Sequence, residues 1–179
     1  LYTSGAGGQN YWNGSIKDLT KVNTEIVAEM IEEAVDGDLF EVERVEAYAE
    51  DYDACTREAQ AEAREKVRPA LVRYLDSIAD YDTIFVGYPN WWGDMPMAVF
   101  ALLERYDFTG KRVALFCTHE GSGLGKSEKD VRAVCTGAEV VKGLVIKGSQ
   151  VAESGAAVTK WAKAACGTGR SRTAQYVGV

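Results

Sequence analysis

One histidine, three prolines and four scattered cysteines in 179 residues are unusually few chemical handles, and each shortage removes a class of chemistry. A histidine-built metal centre or a Ser–His–Asp triad would rest on His119 alone, and no partner pattern surrounds it. Cys55, Cys117, Cys135 and Cys166 form no C-x-x-C pair, so neither a metal site nor a dense disulfide framework is expected. They read as free, mostly structural thiols in a reducing, cytoplasmic setting. No apolar run approaches the roughly 18 residues of a membrane span, and no basic-then-apolar amino end suggests a secretory signal. Positive charge is also in deficit, with 20 Lys and Arg against 27 Asp and Glu and a net charge of −7. Nucleic-acid phosphates would be repelled, whereas a partner with a basic face would be attracted.

What remains is an ordinary globular mixture, 46% hydrophobic and 26% charged, long enough to bury one core, so residues 1–179 are expected as a single domain. Helix-like and strand-like segments alternate. Ile26, Val27, Met30, Ile31, Ala34 and Val35 recur at helical spacing up to Gly37, with Asn23 and Thr24 as N-cap candidates. Leu39 and Val42 mark a short strand, and the Ala-, Glu- and Arg-rich stretch from Asp53 to Leu75 reads as a surface helix that Pro69 breaks or kinks. Thr83 to Val86 is a buried strand that Gly87 and Pro89 stop abruptly. A helix over 96–105, a strand over 112–118, a helix over 127–135, a strand over 140–146 and a helix over 155–165 follow. A linker at 167–172 leads to a last segment, 173–179. Repeated β–α units of this kind imply a mostly parallel sheet with helices on both faces.

Three loops carry the chemistry. Thr3, Ser4, Gly5, Ala6 and Gly7 expose backbone N–H groups and two hydroxyls to an anion, and Asn23 and Thr24 add the amino end of a helix; half of such loops are only turns. Pro89, Asn90, Trp91, Trp92 and Gly93 put two tryptophans in a loop at a strand's carboxyl end, suited either to a flat ring or to plugging a hydrophobic corner. Thr118, His119, Glu120, Gly121, Ser122 and Gly123 form a glycine-dense loop through which backbone approaches a ligand closely.

These residues resemble the flavodoxin family, in particular the group with a G-Y-P-x-W-W-G loop, here Gly87 to Gly93, and a C-T-H-x-G-S-G loop, here Cys117 to Gly123. Tyr106-Asp-Phe-Thr-Gly110 resembles it too, and the likeness extends from about Ser4 to Ala165. The resemblance implies a three-layer α/β/α sandwich with a five-stranded parallel sheet in the order 2-1-3-4-5. It also implies non-covalent FMN, cycling between oxidised, semiquinone and hydroquinone states. The phosphate is then expected at Ser4, Gly5, Ala6, Gly7, Asn23 and Thr24, and the ring between Trp91 or Trp92 and the 118–123 loop. An acidic surround disfavours the anionic reduced ring, and a peptide flip at Gly93 is expected to tune it. His119 is the one candidate proton donor, although backbone and packing contacts are its commoner use.

Two departures stand out. Fifteen residues, Gly8 to Val22, separate the phosphate loop from Asn23, and with Asn10 and Tyr11 they read as a flap beside phosphate or ribose, or as a solvent loop. Second, the chain opens at Leu1, where the family's first strand should already be ending. Gln175-Tyr-Val-Gly-Val179 followed by Leu1-Tyr-Thr-Ser-Gly5 resembles that strand and its loop, so a circular permutation is expected, the alternatives being residues missing before Leu1 or a fraying tail. In function, an electron carrier, an NAD(P)H-dependent FMN oxidoreductase acting on a quinone or similar acceptor, and a module that has lost FMN are the competing readings.

Overall fold

The computed structural model describes residues 9–12, 15–167 and 173–178, and in them strands and helices alternate. β1 (Gln9–Trp12) and β2 (Ser15–Asp18) pair antiparallel as a hairpin, so the segment between the phosphate loop and the first helix has regular structure of its own. There follow α1 (Asn23–Val35), β3 (Asp38–Val42), α2 (Tyr52–Glu65), β4 (Thr83–Pro89) and α3 (Met97–Leu103). β5 (Arg112–His119), α4 (Ser127–Val134), β6 (Glu139–Lys147), α5 (Gly155–Cys166) and β7 (Thr173–Gly178) complete the order.

The main sheet has five strands in the order β3-β7-β4-β5-β6, every neighbouring pair parallel. β7 lies between β3 and β4, where residues 173–179 were expected: Tyr176 is opposite Phe40 on one side and Val86 on the other. Leu1–Thr3 as the continuation of that strand, and the burial of Tyr176, Val177 and Val179, lie outside the described residues. Every residue of β4 from Thr83 to Tyr88 is buried, which requires cover on both faces of the sheet. α1 and α5 pack together beside β4, β5 and β7, with Phe85 edge-on to Trp161 at 5.4 Å. α3, with α2 against it, lies over β3 and β7.

Three local expectations need correction. Gly87 does not stop β4, which runs through it and ends at Pro89. Gly87 is there because the Phe116 ring of β5 occupies the volume that any Cβ would need. Asn23 and Thr24 do not cap α1 either, because the helix begins at Asn23 and its N-cap is Val22, with extended backbone (ψ 148°) and no side-chain cap bond. The helix after Asp53 ends at Glu65 instead of Leu75. Pro69 would clash with the carbonyl four residues earlier, that of Glu65, and disfavours helix at Arg68. The chain therefore leaves through Lys66, in left-handed conformation at φ 54°, whose N–H closes on the Glu62 carbonyl. Beyond Pro69 it pairs antiparallel with the exit of β3, Val45 N–H to the Ala70 carbonyl at 2.9 Å and Val72 N–H to the Glu43 carbonyl at 2.8 Å.

Candidate functional site

The carboxyl ends of β4 and β5 meet the amino end of α1. With Val22 as N-cap, no side chain caps the first turn of α1, so this end keeps the donor character and partial positive charge of a helix start. Thr24, one residue into that helix, is 3% exposed and Thr118, near the end of β5, is 5% exposed. Their hydroxyl oxygens are 2.6 Å apart. Asn23 Nδ2 and Glu120 Oε1 both close on Gly148, at 2.6 Å and 2.5 Å from where a Cβ would stand.

The aromatic loop is a tight turn. Trp91 N–H donates to the Asp94 carbonyl at 2.9 Å and Asp94 N–H to the Trp91 carbonyl at 3.1 Å. Between them Trp92 (φ 55°) and Gly93 (φ 82°) both have positive φ, the pattern of a type I′ turn. A tryptophan held there costs about 1–3 kcal/mol, so the surroundings must impose it. They do so at three points. Asn90 Oδ1 accepts from Gly93 N–H at 3.1 Å, Asn90 Nδ2 donates to the Gly123 carbonyl at 2.8 Å, and Trp92 Nε1 donates to the Thr56 carbonyl of α2 at 3.0 Å. The Gly93 carbonyl accepts Lys126 N–H at 2.9 Å, an approach possible only because Gly125 has no side chain. The freedom expected at Gly93 is therefore spent on forming the turn: a flip of either flanking peptide breaks at least one of these bonds.

The two tryptophans have different surroundings. Trp92 is 55% exposed. Trp91 packs against the core and meets Tyr48 edge-on, ring centroids 4.9 Å apart. Behind Tyr48 the Arg44 guanidinium lies 3.7 Å over its ring, bonded to Glu62 at 2.9 Å and Glu58 at 3.2 Å. Tyr48 O–H donates to Glu62 at 2.6 Å. Burial, first, and that bond raise the phenol well above its ordinary range, so it stays a protonated donor. On the other side of the turn the buried Asp94 carboxylate receives Met95 N–H at 2.8 Å and faces Lys126 Nζ at 3.1 Å, tying the turn to the start of α4. Burial raises its pKa despite that cation.

His119 organises the third loop from within. Its Nδ1 accepts N–H bonds from Gly121 at 2.9 Å and Gly123 at 3.1 Å, which places the neutral ring's proton on Nε2. Burial depresses its pKa below the ordinary 6.5, Lys147 adding to the effect and Glu120 partly opposing it. The candidate proton donor thus serves, through Nδ1, as a loop-orienting acceptor. Because the folded state binds this proton less readily than the unfolded chain, His119 contributes stability fully present above about pH 6.5 and lost as pH falls through and below it. We expect the thermal midpoint of the parent to approach that of His119→Gln between pH 8 and pH 5. Parallel curves over that range would contradict the assignment.

The chain's relatives fit this geometry. The family model described as flavodoxin matches residues 19–165. The chain belongs to the flavodoxin family. A solved structure from Bacteroides uniformis, described as a flavoprotein, is 32% identical to this flavodoxin, with 78% of this chain and 90% of that one covered and a TM-score of 0.68. A flavoprotein from Lactobacillus acidophilus, solved in complex with FMN, is 25% identical over 73% of this chain and 89% of its own, with a TM-score of 0.56. One from Bacteroides eggerthii, 24% identical with a TM-score of 0.71 over 84% and 94% of the two chains, shares the fold. No protein of curated function matches the chain.

Of the residues expected at the site, the structure brings together Asn23 and Thr24, Pro89 to Gly93, and Thr118 to Gly123. Thr24 and Thr118 touch directly, and Asn90 stitches the second loop to the third. Ser122 is exposed. Thr3, Ser4, Gly5, Ala6 and Gly7 lie outside the described residues, as do the side chains of Asn10 and Tyr11, whose backbone belongs to β1. Arg44, Tyr48, Lys126 and Gly148 were not anticipated. Only Lys126 carries a sequence cue, directly after the glycine-dense loop.

Cys55, Cys117 and Cys135 are buried free thiols and Cys166 is half-buried; burial pushes the Cys135 thiol up to about 12. Among the described residues no three His, Cys, Asp or Glu side chains gather as metal ligands, and no helix is long and apolar enough to cross a membrane.

Proposed function

We propose that this flavodoxin binds FMN non-covalently and acts as an electron carrier. The observation that supports it most is the uncapped start of α1 beside the buried Thr24–Thr118 hydroxyl pair, a donor-rich setting for a phosphate. In this reading Thr3, Ser4, Gly5, Ala6, Gly7, Asn23 and Thr24 hold the phosphate, and Asn10 and Tyr11 belong to a flap beside the phosphate or ribose. Pro89, Asn90, Trp91, Trp92 and Gly93 form one wall of the ring site, and Thr118, His119, Glu120, Gly121, Ser122 and Gly123 the other. Bound FMN supplies the redox chemistry; the chain supplies orientation and charge. The locked turn at 91–94 and the His119-braced loop make both walls rigid, which favours tight binding at low ordering cost.

The partner of this reading is a redox protein with a basic face. The exposed Trp92 rests on the first turns of α2, where Asp51 and Asp53 are also exposed, so an apolar contact is flanked by negative charge. A circular permutation that moved the family's first strand to the far end of the sequence accounts for β7 at the middle of the sheet, and residues 1–179 then form one FMN domain.

Titration of the purified protein with FMN tests the core of this reading. Each stacked ring contributes about 1–3 kcal/mol, so the Trp91→Ala, Trp92→Ala double variant is expected to lose tenfold or more in affinity. Riboflavin, which lacks the phosphate, is expected to bind far more weakly than FMN. Unchanged FMN affinity in the double variant would remove the ring site, and rapid reduction of the loaded protein by NADPH alone would favour an oxidoreductase over a carrier.

A further inference from the structure

The Thr24–Thr118 pair has one proton too many. Each hydroxyl is one donor and two acceptor lone pairs. At 2.6 Å the two oxygens share a single O–H···O bond, and either is able to donate it. Among the described residues neither hydroxyl has another hydrogen-bond partner. Two protons and one bond leave one O–H unspent at a place where both residues are at least nine-tenths buried, and buried donors are rarely left without an acceptor.

The position of each oxygen selects which one is left. Thr118 is set in β5, its backbone carbonyl bound by Asn90 N–H at 2.9 Å and its strand paired with β4 and β6. Thr24 is in the first, uncapped turn of α1, at the helix end whose dipole draws an anion. We infer that Thr118 is a positioning residue for phosphate recognition: its hydroxyl donates to Thr24 Oγ1 and so commits the Thr24 O–H to a phosphate oxygen at the amino end of α1. Thr118 acts through Thr24 and touches neither phosphate nor ring through its hydroxyl. Two donors in series polarise one another, strengthening the terminal bond to a charged acceptor. The inference rests on the FMN reading above and assigns the chain's preference for a phosphorylated over an unphosphorylated flavin to a pair 94 residues apart in sequence.

Dissociation constants for FMN and riboflavin in the parent, Thr24→Val, Thr118→Val, Thr118→Ser and the double valine variant test it, with thermal unfolding as a check on folding. The readout is the FMN-to-riboflavin affinity ratio, which general damage to the 118–123 loop leaves unmoved because both flavins share the ring. The ratio is expected to fall about tenfold or more in Thr24→Val, as for loss of one hydrogen bond to a charged group. It should fall about threefold or more in Thr118→Val and recover in Thr118→Ser, and the double variant should be no worse than Thr24→Val alone. An unchanged ratio in Thr118→Val, effects that simply add, or a serine variant as poor as the valine would overturn the inference while leaving FMN binding intact. A parent that binds neither flavin would overturn the cofactor reading, and this assignment with it.

Discussion

A chain ending at residue 172 is expected to show no cooperative unfolding transition. The lost segment is β7, which pairs along its length with β3, Asp38↔Ala174 to Val42↔Gly178, and with β4, Thr83↔Thr173 to Gly87↔Val177. Its removal strips backbone partners from two strands at once, and β4 is buried throughout from Thr83 to Tyr88. Orphaned N–H and C=O groups there have no water to turn to. Their combined cost exceeds the roughly 5–15 kcal/mol that separates a folded domain from its unfolded chain. A single change gives a graded version: Val177→Pro removes one N–H from the middle of the sheet, where proline is not accommodated, and is expected to cost about 3 kcal/mol or more. Far-ultraviolet circular dichroism during thermal unfolding reads both. A truncated protein that melts cooperatively at the parent's midpoint would show that β7 is dispensable and the sheet order wrong.

The second large effect is expected at Arg44. Its side chain is 6% exposed and its partner Glu62 10% exposed, and Tyr48 spends its hydroxyl proton on the same carboxylate. Replacing Arg44 with Met keeps much of the volume but leaves Glu62 buried without its cation. Such a deletion typically costs about 3–5 kcal/mol, most of it the penalty of the charge left behind and not the worth of the pair. The Arg44→Met, Glu62→Leu double variant should recover a large part of that loss, because it removes both charges. Urea unfolding at neutral pH measures the difference. Since Arg44 lies over Tyr48 and Tyr48 abuts Trp91, the single variant should also change the tryptophan emission of the folded state. A loss below about 1 kcal/mol would place this cluster in the ordinary class of exposed ion pairs.

Local pattern and tertiary context divided the work unevenly. The 3.6-residue recurrence from Ile26 to Val35 and the unbroken apolar runs at 84–86 and 113–117 are properties of short stretches, and they became α1, β4 and β5. Where a residue has two local uses, spacing could not choose between them. Gly87 has the signature of a strand terminator, yet its missing side chain makes room for Phe116, a residue 29 positions away that only sheet register brings alongside. Asn23 and Thr24 have cap chemistry, but the helix starts one residue sooner than that use allows, and Thr24 finds Thr118 instead. The helix expected to Leu75 stopped at Glu65 because the steric reach of Pro69 extends four residues back.

The sequence by itself determined the alternation of strands and helices, the two aromatic and glycine loops, the acidic character and the family to which they belong, because each is written in neighbouring residues. Only the tertiary structure decided that α1, β5 and the tight turn after β4 share one corner, that Asn90 and His119 brace the loops, and that Arg44 stands behind Trp91 through Tyr48. Those are contacts between residues far apart along the chain. They arise when a parallel sheet aligns the carboxyl ends of its strands, and no period or motif within one segment encodes them.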